Sequence, residues 1–421
     1  MAAGTRLWHP FAAMGQVDGH ELVLVRGEGV RVWDEDGTEY LDATAGLWFA
    51  NVGHGRAEIA DAVGAQLRTL AAHNIFGDYA NRPALDLAER VAALAPLPDP
   101  AVFFGTGGAE AIDTAAKIVR RYWALMGQPE RTVIVSRRHA YHGTAAYGTS
   151  LSGIPAIRDG YGTLVGDVAE VAHDDPDDLA RTLDGLGARA AAFIGEPMIG
   201  AGGAIPPPEG YWPAVERICR ERGVLLVADE VISGFGRLGR WFGCERYGFT
   251  PDLMTCAKGI TSGYVPLGAV VVSGTVRAPF WEEGAPPFLQ GGTYSGHPGA
   301  CVAGLANLDI LEREALVDRV AELEPVLREL LEPLRDLDGV ADVRSAGLAG
   351  AVELDPALLA ASPGAPAAAV LEARRQGVLT RALRGVALQL SPPFIVAPDE
   401  LEEIVAGVAA GVRAAAAAAP V

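Results

Sequence analysis

What the chain has little of narrows its function before any motif is read. It carries four cysteines in 421 residues, Cys219, Cys244, Cys256 and Cys301. None has CxxC spacing, so neither a disulfide framework nor a zinc knuckle is indicated, and a reducing cytosol is expected. Basic side chains are scarce: 34 Lys and Arg face 53 Asp and Glu, a formal charge of -19. That sign is wrong for gripping nucleic acid and unfavourable at an anionic membrane surface. No apolar run reaches the ~18 residues of a membrane helix, and the N-terminal MAAGTRLWHPF lacks the basic start and apolar core of a signal peptide. HExxH and paired His and carboxylate spacings are missing, so no metal site is expected. The expectation is a cytoplasmic protein, without nucleic acid or membrane as partner, that meets small molecules or other subunits.

What is present is a large apolar fraction, 50% of the residues, ample for a sizeable core. From about residue 100 to 275, short apolar runs alternate with helix-length patterns, which predicts strand-helix-strand units and a mostly parallel sheet buried on both faces. The candidate strands are Ala101-VFF, Thr132-VIV, Ala190-AAFIG, Val224-LLVA, Asp252-LMTCA and Gly268-AVVVS. Between the first two, Ile112, Ala115, Ala116, Val119 and Trp123 fall on one face of a helix. The flanks differ. Residues 21–42 read as strands turning at Asp36-Gly37, and amphipathic helices follow His297-Pro298. Residues 1–55 and 299–421 are therefore read as two parts of one smaller α+β lobe, and residues 56–298 as a large α/β domain. The six-alanine run Ala414–Ala419 reads as frayed helix.

Two residues stand out chemically. Lys258 ends a strand-like run and is followed at once by glycine, so it reads as a covalent anchor. Asp229 is the first polar residue after the buried run Val224-LLVA. Together they suggest a carbonyl cofactor with a basic ring nitrogen, although a lone Lys is ordinarily a surface charge and Asp after a strand a helix cap. The turn in Phe103-FGTGGAEAIDTAAK joins a strand to a helix, and its backbone amides at the positive helix end make a phosphate site. Gly107 and Gly108 let backbone approach the anion, and Thr106 offers a hydroxyl. G-x-G-x-x-G and Walker A patterns are absent, so one small phosphate fits better than a dinucleotide or ATP. Tyr141, after the strand Thr132-VIV, is placed to stack on a flat ring at the carboxyl edge of the sheet, and its neighbour His142 reads as a hydrogen-bonding residue.

Taken in order, Glu110-AIDTAAK, Tyr141-HG, Gly195-EPMIGAGG, Val227-ADEVISGFGR, Ala257-KG and Thr293-YSGHP make the chain resemble the class III aminotransferases, from Trp8-HPF to Ser391-PPF. The resemblance implies the fold type I architecture of pyridoxal 5'-phosphate enzymes. It makes Lys258 both the covalent anchor and the base that moves the proton. It makes Asp229 the partner that keeps the ring nitrogen protonated. Val231 would pack on one ring face and Tyr141 on the other, with Gly108, Ala109, His142 and Glu196 completing the cofactor site. Thr293 would reach the phosphate of a partner subunit, which implies a homodimer. Ala109 stands where many relatives have Ser, which removes one hydroxyl from the phosphate.

Ala201 occupies the place of a second Glu found in relatives that use 2-oxoglutarate. With Gly46-LW-Phe49, it makes the chain similar to amine or ω-amino-acid:pyruvate aminotransferases. By the same resemblance, Trp48, Phe11 and the partner's Phe76 line the substrate pockets, and Arg381 pairs with the substrate carboxylate and swings out for apolar amines. Arg384 is a possible substitute, because the interval to Pro392-Pro393 is one residue longer than usual. A 2-oxoglutarate-dependent enzyme, a decarboxylase, racemase or aminomutase on the same fold, and a binding protein without chemistry are the alternatives. Retention of both Lys258 and Asp229 speaks against the last.

Overall fold

The structure, a computed structural model, describes residues 5–17 and 19–417. Near the N-terminus β1 (Leu24–Glu28), β2 (Arg31–Asp34) and β3 (Glu39–Asp42) pair antiparallel. The β2–β3 turn is locked by Asp34, whose Oδ1 accepts from the amides of Asp36 and Thr38, while Oδ2 accepts from the Tyr40 hydroxyl. Gly37, at φ 82°, supplies the left-handed residue this turn requires.

The centre is a seven-stranded sheet of β4 (Ala101–Gly105), β5 (Val133–Arg137), β6 (Val168–Val171), β7 (Ala190–Gly195), β8 (Leu225–Asp229), β9 (Leu253–Cys256) and β10 (Gly268–Val272). Their order is β4-β10-β9-β8-β7-β5-β6, with β10 antiparallel to both neighbours and every other pairing parallel. Every residue of β7, β8 and β9 is buried, as expected for strands covered by helices on both faces. This is the mostly parallel α/β sheet the sequence predicts. β6 escapes sequence reading because it is a four-residue edge strand, only its last residue buried. The helix Gly108–Leu125 buries Ile112, Ala115, Ala116, Val119 and Trp123 against the sheet.

Beyond the two helices Pro298–Arg313 and Leu316–Leu331 lie β11 (Val340–Ala346), β12 (Ala349–Leu354), β13 (Val378–Leu379), β14 (Ala382–Leu383) and β15 (Ala387–Leu390). β13 pairs parallel with β3, Val378 beside Leu41, so segments near both chain ends share one sheet. The alanine-rich tail differs from its reading as frayed. Ala414–Ala417 continue the helix Pro398–Ala417, and Ala415 is fully buried in register with Val408 and Val412. Earlier in the same helix, at Gly411, the carbonyl of Ala369 on the helix Ala365–Arg375 leaves no room for a side chain. Ala418 and Ala419 lie outside the described residues.

Candidate active site

The carboxyl ends of β4, β5, β7, β8 and β9 meet at one edge of the sheet, where open α/β folds bind ligands. Each delivers a polar residue or turn within a few positions of its end: the Gly107–Gly108 turn after β4, Tyr141 and His142 after β5, Glu196 after β7, Asp229 as the last residue of β8, and Lys258 two residues past β9. They line one cavity of about 340 Å³, together with Ala109 and Val231. Residues 120 positions apart in sequence, from Ala109 to Asp229 and beyond, are gathered because the strands are parallel and their helices cross behind the sheet.

Asp229 is buried and fully engaged on the protein side. Its Oδ2 lies 2.6 Å from His142 Nδ1, and its Oδ1 accepts from Thr255 Oγ1 and the Val231 amide, each at 3.1 Å. The far ring nitrogen of His142, Nε2, is buried without a partner among the described residues. Glu196 accepts from the amides of Gly200 (3.0 Å) and Tyr141 (3.2 Å), so it ties the Tyr141 segment to the loop that carries Ala201. Burial, and the charge of Asp229 in opposition to His142, raise its carboxyl. Burial also raises the Tyr141 phenol.

Lys258 is enclosed by protein but keeps part of its surface open to the cavity. Burial pulls its ammonium down to about 8, against the opposing charges of Asp229 and Glu196 and with help from Arg381. The backbone at Lys258 is left-handed, φ 46°, a conformation that persists only where the surroundings hold it. The holder is Asn307, fully buried on the helix Pro298–Arg313, whose Nδ2 donates to the carbonyls of Gly259 and Ile260 at 2.8 and 3.1 Å. Nothing in the sequence around Asn307 signals that role.

The cofactor suggested by the sequence can be tested against these residues. The first-turn amides of the helix Gly108–Leu125 have no acceptor within the helix. They open onto the cavity where side chains are minimal: a Cβ on Gly108 would stand 2.9 Å from Val231 Cγ1, and one on Gly143 2.9 Å from the Ala109 Cβ. An amine at Lys258, a buried carboxylate at Asp229 and a bare anion cradle suit pyridoxal 5'-phosphate, its phosphate at the helix end, its ring nitrogen toward Asp229 and its carbonyl toward Lys258. The Thr106 hydroxyl does not serve the cradle, because it is given, with the Thr106 amide, to Glu110 Oε2 at 2.6 Å. Among the described residues no group of three or more His, Cys, Asp or Glu is placed to hold a metal ion.

The remaining predicted residues are placed differently. Thr293 is exposed and does not line the cavity of its own chain, and Phe76 is 50% exposed beside Gly291. Phe11, 75% exposed at φ 56°, lines a neighbouring cleft that shares Thr144 with the cavity. Trp48 is buried in a cluster with Met198, Ala204, Leu238 and Ile232, and of these Ile232 lines the cavity. Phe49, the next residue, lines the cavity. Ala201 sits in the Gly200–Ala204 turn without lining the cavity. Arg381 is half-buried with no hydrogen bond or ion pair on its guanidinium among the described residues, and its charge acts on both Lys258 and Tyr141. Arg384 instead places Nη1 3.0 Å from His139 Nδ1.

Comparison with known proteins follows the same line. Residues 13–410 match the family described as aminotransferase class-III. The chain is 39% identical to the β-alanine–pyruvate aminotransferase of Pseudomonas aeruginosa over 424 residues, 94% of this chain and 93% of that one. It is 37% identical over 406 residues to the putrescine–pyruvate aminotransferase of the same organism, 91% of this chain and 88% of that one. Among solved structures, an (S)-enantioselective ω-transaminase from Thermomicrobium roseum superposes with a TM-score of 0.91 at 41% identity, covering 96% of this chain and 95% of that one.

Proposed function

The chain belongs to the class III aminotransferases, enzymes that depend on pyridoxal 5'-phosphate, and from that premise we propose that it moves an amino group from a primary amine or ω-amino acid to pyruvate. The donor amine leaves as a carbonyl compound and pyruvate leaves as alanine. When bound, the cofactor supplies the carbonyl that carries the amino group and a ring that takes up the electrons of the deprotonated carbon. Lys258 takes the proton from the substrate carbon and returns it, a task suited to an amine held near neutral pH. Asp229, oriented by His142 and Thr255, presents a fixed negative charge to the ring nitrogen. Val231 and Tyr141 both line the cavity and would bound the ring from its two sides, and Glu196 holds the Tyr141 segment in place.

The pyruvate reading rests chiefly on Arg381. Its guanidinium lies close enough to influence Lys258 and Tyr141 but has no acidic partner among the described residues, so it is available to a substrate carboxylate. Ala201 contributes no carboxylate to compete for it. The two pyruvate-using relatives support the same acceptor. Arg384 is spent on His139, which leaves Arg381 as the carboxylate-binding residue. A single-turnover experiment tests the reading: amine alone should release one carbonyl product per bound cofactor, and pyruvate added next should yield one alanine. Better turnover with 2-oxoglutarate than with pyruvate would overturn the acceptor assignment.

Thr293 and Phe76 complete this reading through a second subunit. Both are exposed and stand apart from the cavity of their own chain, in a surface that also shows Leu289, Tyr294 and Tyr79 at 60% exposure or more. We assign this surface to a homodimer in which each chain lends Thr293 to the phosphate site of the other, and Phe76 to its substrate pocket. On the same footing, residues 1–55 and 299–421 form the small domain around the cofactor domain 56–298. Phe11 and Trp48 border the substrate space from the neighbouring cleft and from behind Ile232. Four free, buried cysteines suit a cytoplasmic enzyme.

A further inference from the structure

Arg384 combines two features that a surface arginine lacks. It occupies the first central position of the β-turn 383–386 in the connection between β14 and β15, with φ 50° followed by Gly385 at φ 70°, and the Val386 amide closes the turn onto the Leu383 carbonyl at 2.9 Å. Such turns favour Asn, Asp or Gly, since both central residues are left-handed. Its guanidinium is also half-buried without a carboxylate. Nη1 meets His139 Nδ1 at 3.0 Å, while Nε is buried and unpartnered. Glu353, the carboxylate whose charge acts on Arg384, is taken by Arg344 at 2.6 Å. A strained backbone and a desolvated cation are tolerated together where the contact they make is used.

His139 is the other half of the contact and is placed between two parts of the site. It follows β5, two residues before Tyr141, and is itself left-handed at φ 67°, with its amide bonded to the Gly153 carbonyl at 3.0 Å. Its carbonyl packs on Gly202, and the next residue, Gly203, has both the Arg344 and the Arg384 guanidinium beside it: a Cβ there would stand 3.1 Å from Arg344 Nη2 and 3.4 Å from Arg384 Nη2. The charged and titratable groups that face the imidazole are Arg384, Arg138, Glu353 and His173, whose ring is 5.0 Å away. Burial, then the charge of Arg384, holds His139 down to about 4, so it is neutral and accepts at Nδ1 throughout the physiological range. Arg384 thus touches the Tyr141 segment and the Ala201 turn from the hairpin that follows Arg381. The base of that hairpin is closed by the Gln389 amide on the Arg381 carbonyl, 3.0 Å.

We propose that Arg384 is a positioning residue: by bonding His139 it pins the β14–β15 hairpin to the segment that carries Tyr141, and so sets where the Arg381 guanidinium can reach. This rests on the reading of Arg381 as the carboxylate-binding residue. It assigns the acceptor half-reaction a control that lies outside the cavity. An amine without a carboxylate does not use Arg381, so its half-reaction is indifferent to the contact.

The test uses the cofactor-loaded enzyme and four variants, with kcat/KM measured separately for pyruvate and for a carboxylate-free amine, and thermal unfolding alongside. Arg384→Gly relieves the left-handed strain, so it should leave the unfolding temperature unchanged or raised while lowering kcat/KM for pyruvate about tenfold and leaving that for the amine unchanged. His139→Phe should reproduce the pyruvate loss, and His139→Asn, which keeps an acceptor and tolerates a left-handed backbone, should restore it. Arg381→Ala separates the two readings. If it lowers kcat/KM for pyruvate while Arg384→Gly does not, the positioning role alone is wrong. If neither changes pyruvate use, the carboxylate role of Arg381 falls and the positioning role with it. An equal loss for pyruvate and amine with Arg384→Gly would also overturn the proposal, because it marks a general structural effect.

Discussion

Asp229 and His142 form a hydrogen-bonded pair, 2.6 Å from carboxylate Oδ2 to Nδ1, with both side chains closed to solvent. The imidazole fills one acceptor site of the carboxylate, Thr255 and the Val231 amide fill Oδ1, and the negative charge is left aimed into the cavity. The function of the pair is to keep that charge in a fixed place in a medium of low dielectric, where it acts strongly. Asp229→Asn keeps the shape and removes the charge, and turnover should fall by about 10²–10³-fold, as when a preorganised electrostatic partner is removed. His142→Phe leaves the charge but frees its carboxylate to turn, and a smaller loss of about tenfold is expected. Steady-state rates checked against unchanged circular dichroism decide both. An Asp229→Asn enzyme of near-normal rate would remove Asp229 from the mechanism.

Lys258 gives a pH dependence with a definite sign. Its amine is lowered from 10.5 to about 8, chiefly by burial. Capture of pyridoxal phosphate by cofactor-free protein needs the neutral amine, so its rate should climb about tenfold per pH unit below about 8 and level off above. Arg381 contributes to the lowering, so Arg381→Ala should move the midpoint upward. Because the folded value lies below the unfolded one, the unfolded chain binds the extra proton between about 8 and 10.5. The penalty for burying the charged amine is therefore full below about 8, and the cofactor-free protein should gain stability as pH rises through that window. Stopped-flow absorbance follows the first effect and urea midpoints at several pH values the second.

The anion cradle is short of hydroxyls. Thr106 gives its hydroxyl to Glu110, and Gly107, Gly108 and Ala109 have none to offer. Ala109→Ser places one in the first helical turn, beside the amides that face the cavity. A hydrogen bond to a charged acceptor contributes about 1.5–3 kcal/mol, so cofactor dissociation should slow by at least about tenfold. The measurement is the loss of cofactor absorbance on dialysis or dilution. Releasing Thr106 instead, by Glu110→Gln, should tighten binding less, because the amide still accepts from the Thr106 backbone.

The strand ends were legible in the sequence for a physical reason. A strand covered on both faces is a nearly continuous apolar run, so the first charged residue at its carboxyl end, Asp229 or Lys258, stands out against it. The Gly-rich turn was legible because only small residues tolerate the close approach seen at Gly108 and Gly143. Asn307 was not. It lies on a later helix, 49 residues past the lysine it supports, and its importance arises from a left-handed backbone that no local pattern reports. Trp48 and Phe49 show the same limit at finer scale. Which of two adjacent aromatics faces the cavity depends on a kinked turn, with Gly46 at φ 66° and Trp48 at φ 68°, that neither strand nor helix periodicity describes.

That kink makes Trp48→Gly a discriminating substitution. Truncating a buried Trp costs about 3–5 kcal/mol in an ordinary core. Here the backbone is left-handed, which glycine adopts without the penalty of about 1–2 kcal/mol borne by a residue with a Cβ. The indole nitrogen, moreover, is buried without a partner, so no hydrogen bond is lost. The net loss should therefore be about 1–4 kcal/mol, the remainder of those two figures. Ile232, of the same buried cluster as Trp48, lines the cavity, and removing the indole should give that isoleucine space to withdraw. Amines with bulkier substituents should then gain in kcat/KM relative to small ones, while pyruvate, handled through Arg381, should not. If bulky amines gain nothing and stability drops by the full 3–5 kcal/mol, Trp48 is core alone and the wall that selects the amine lies with Phe49.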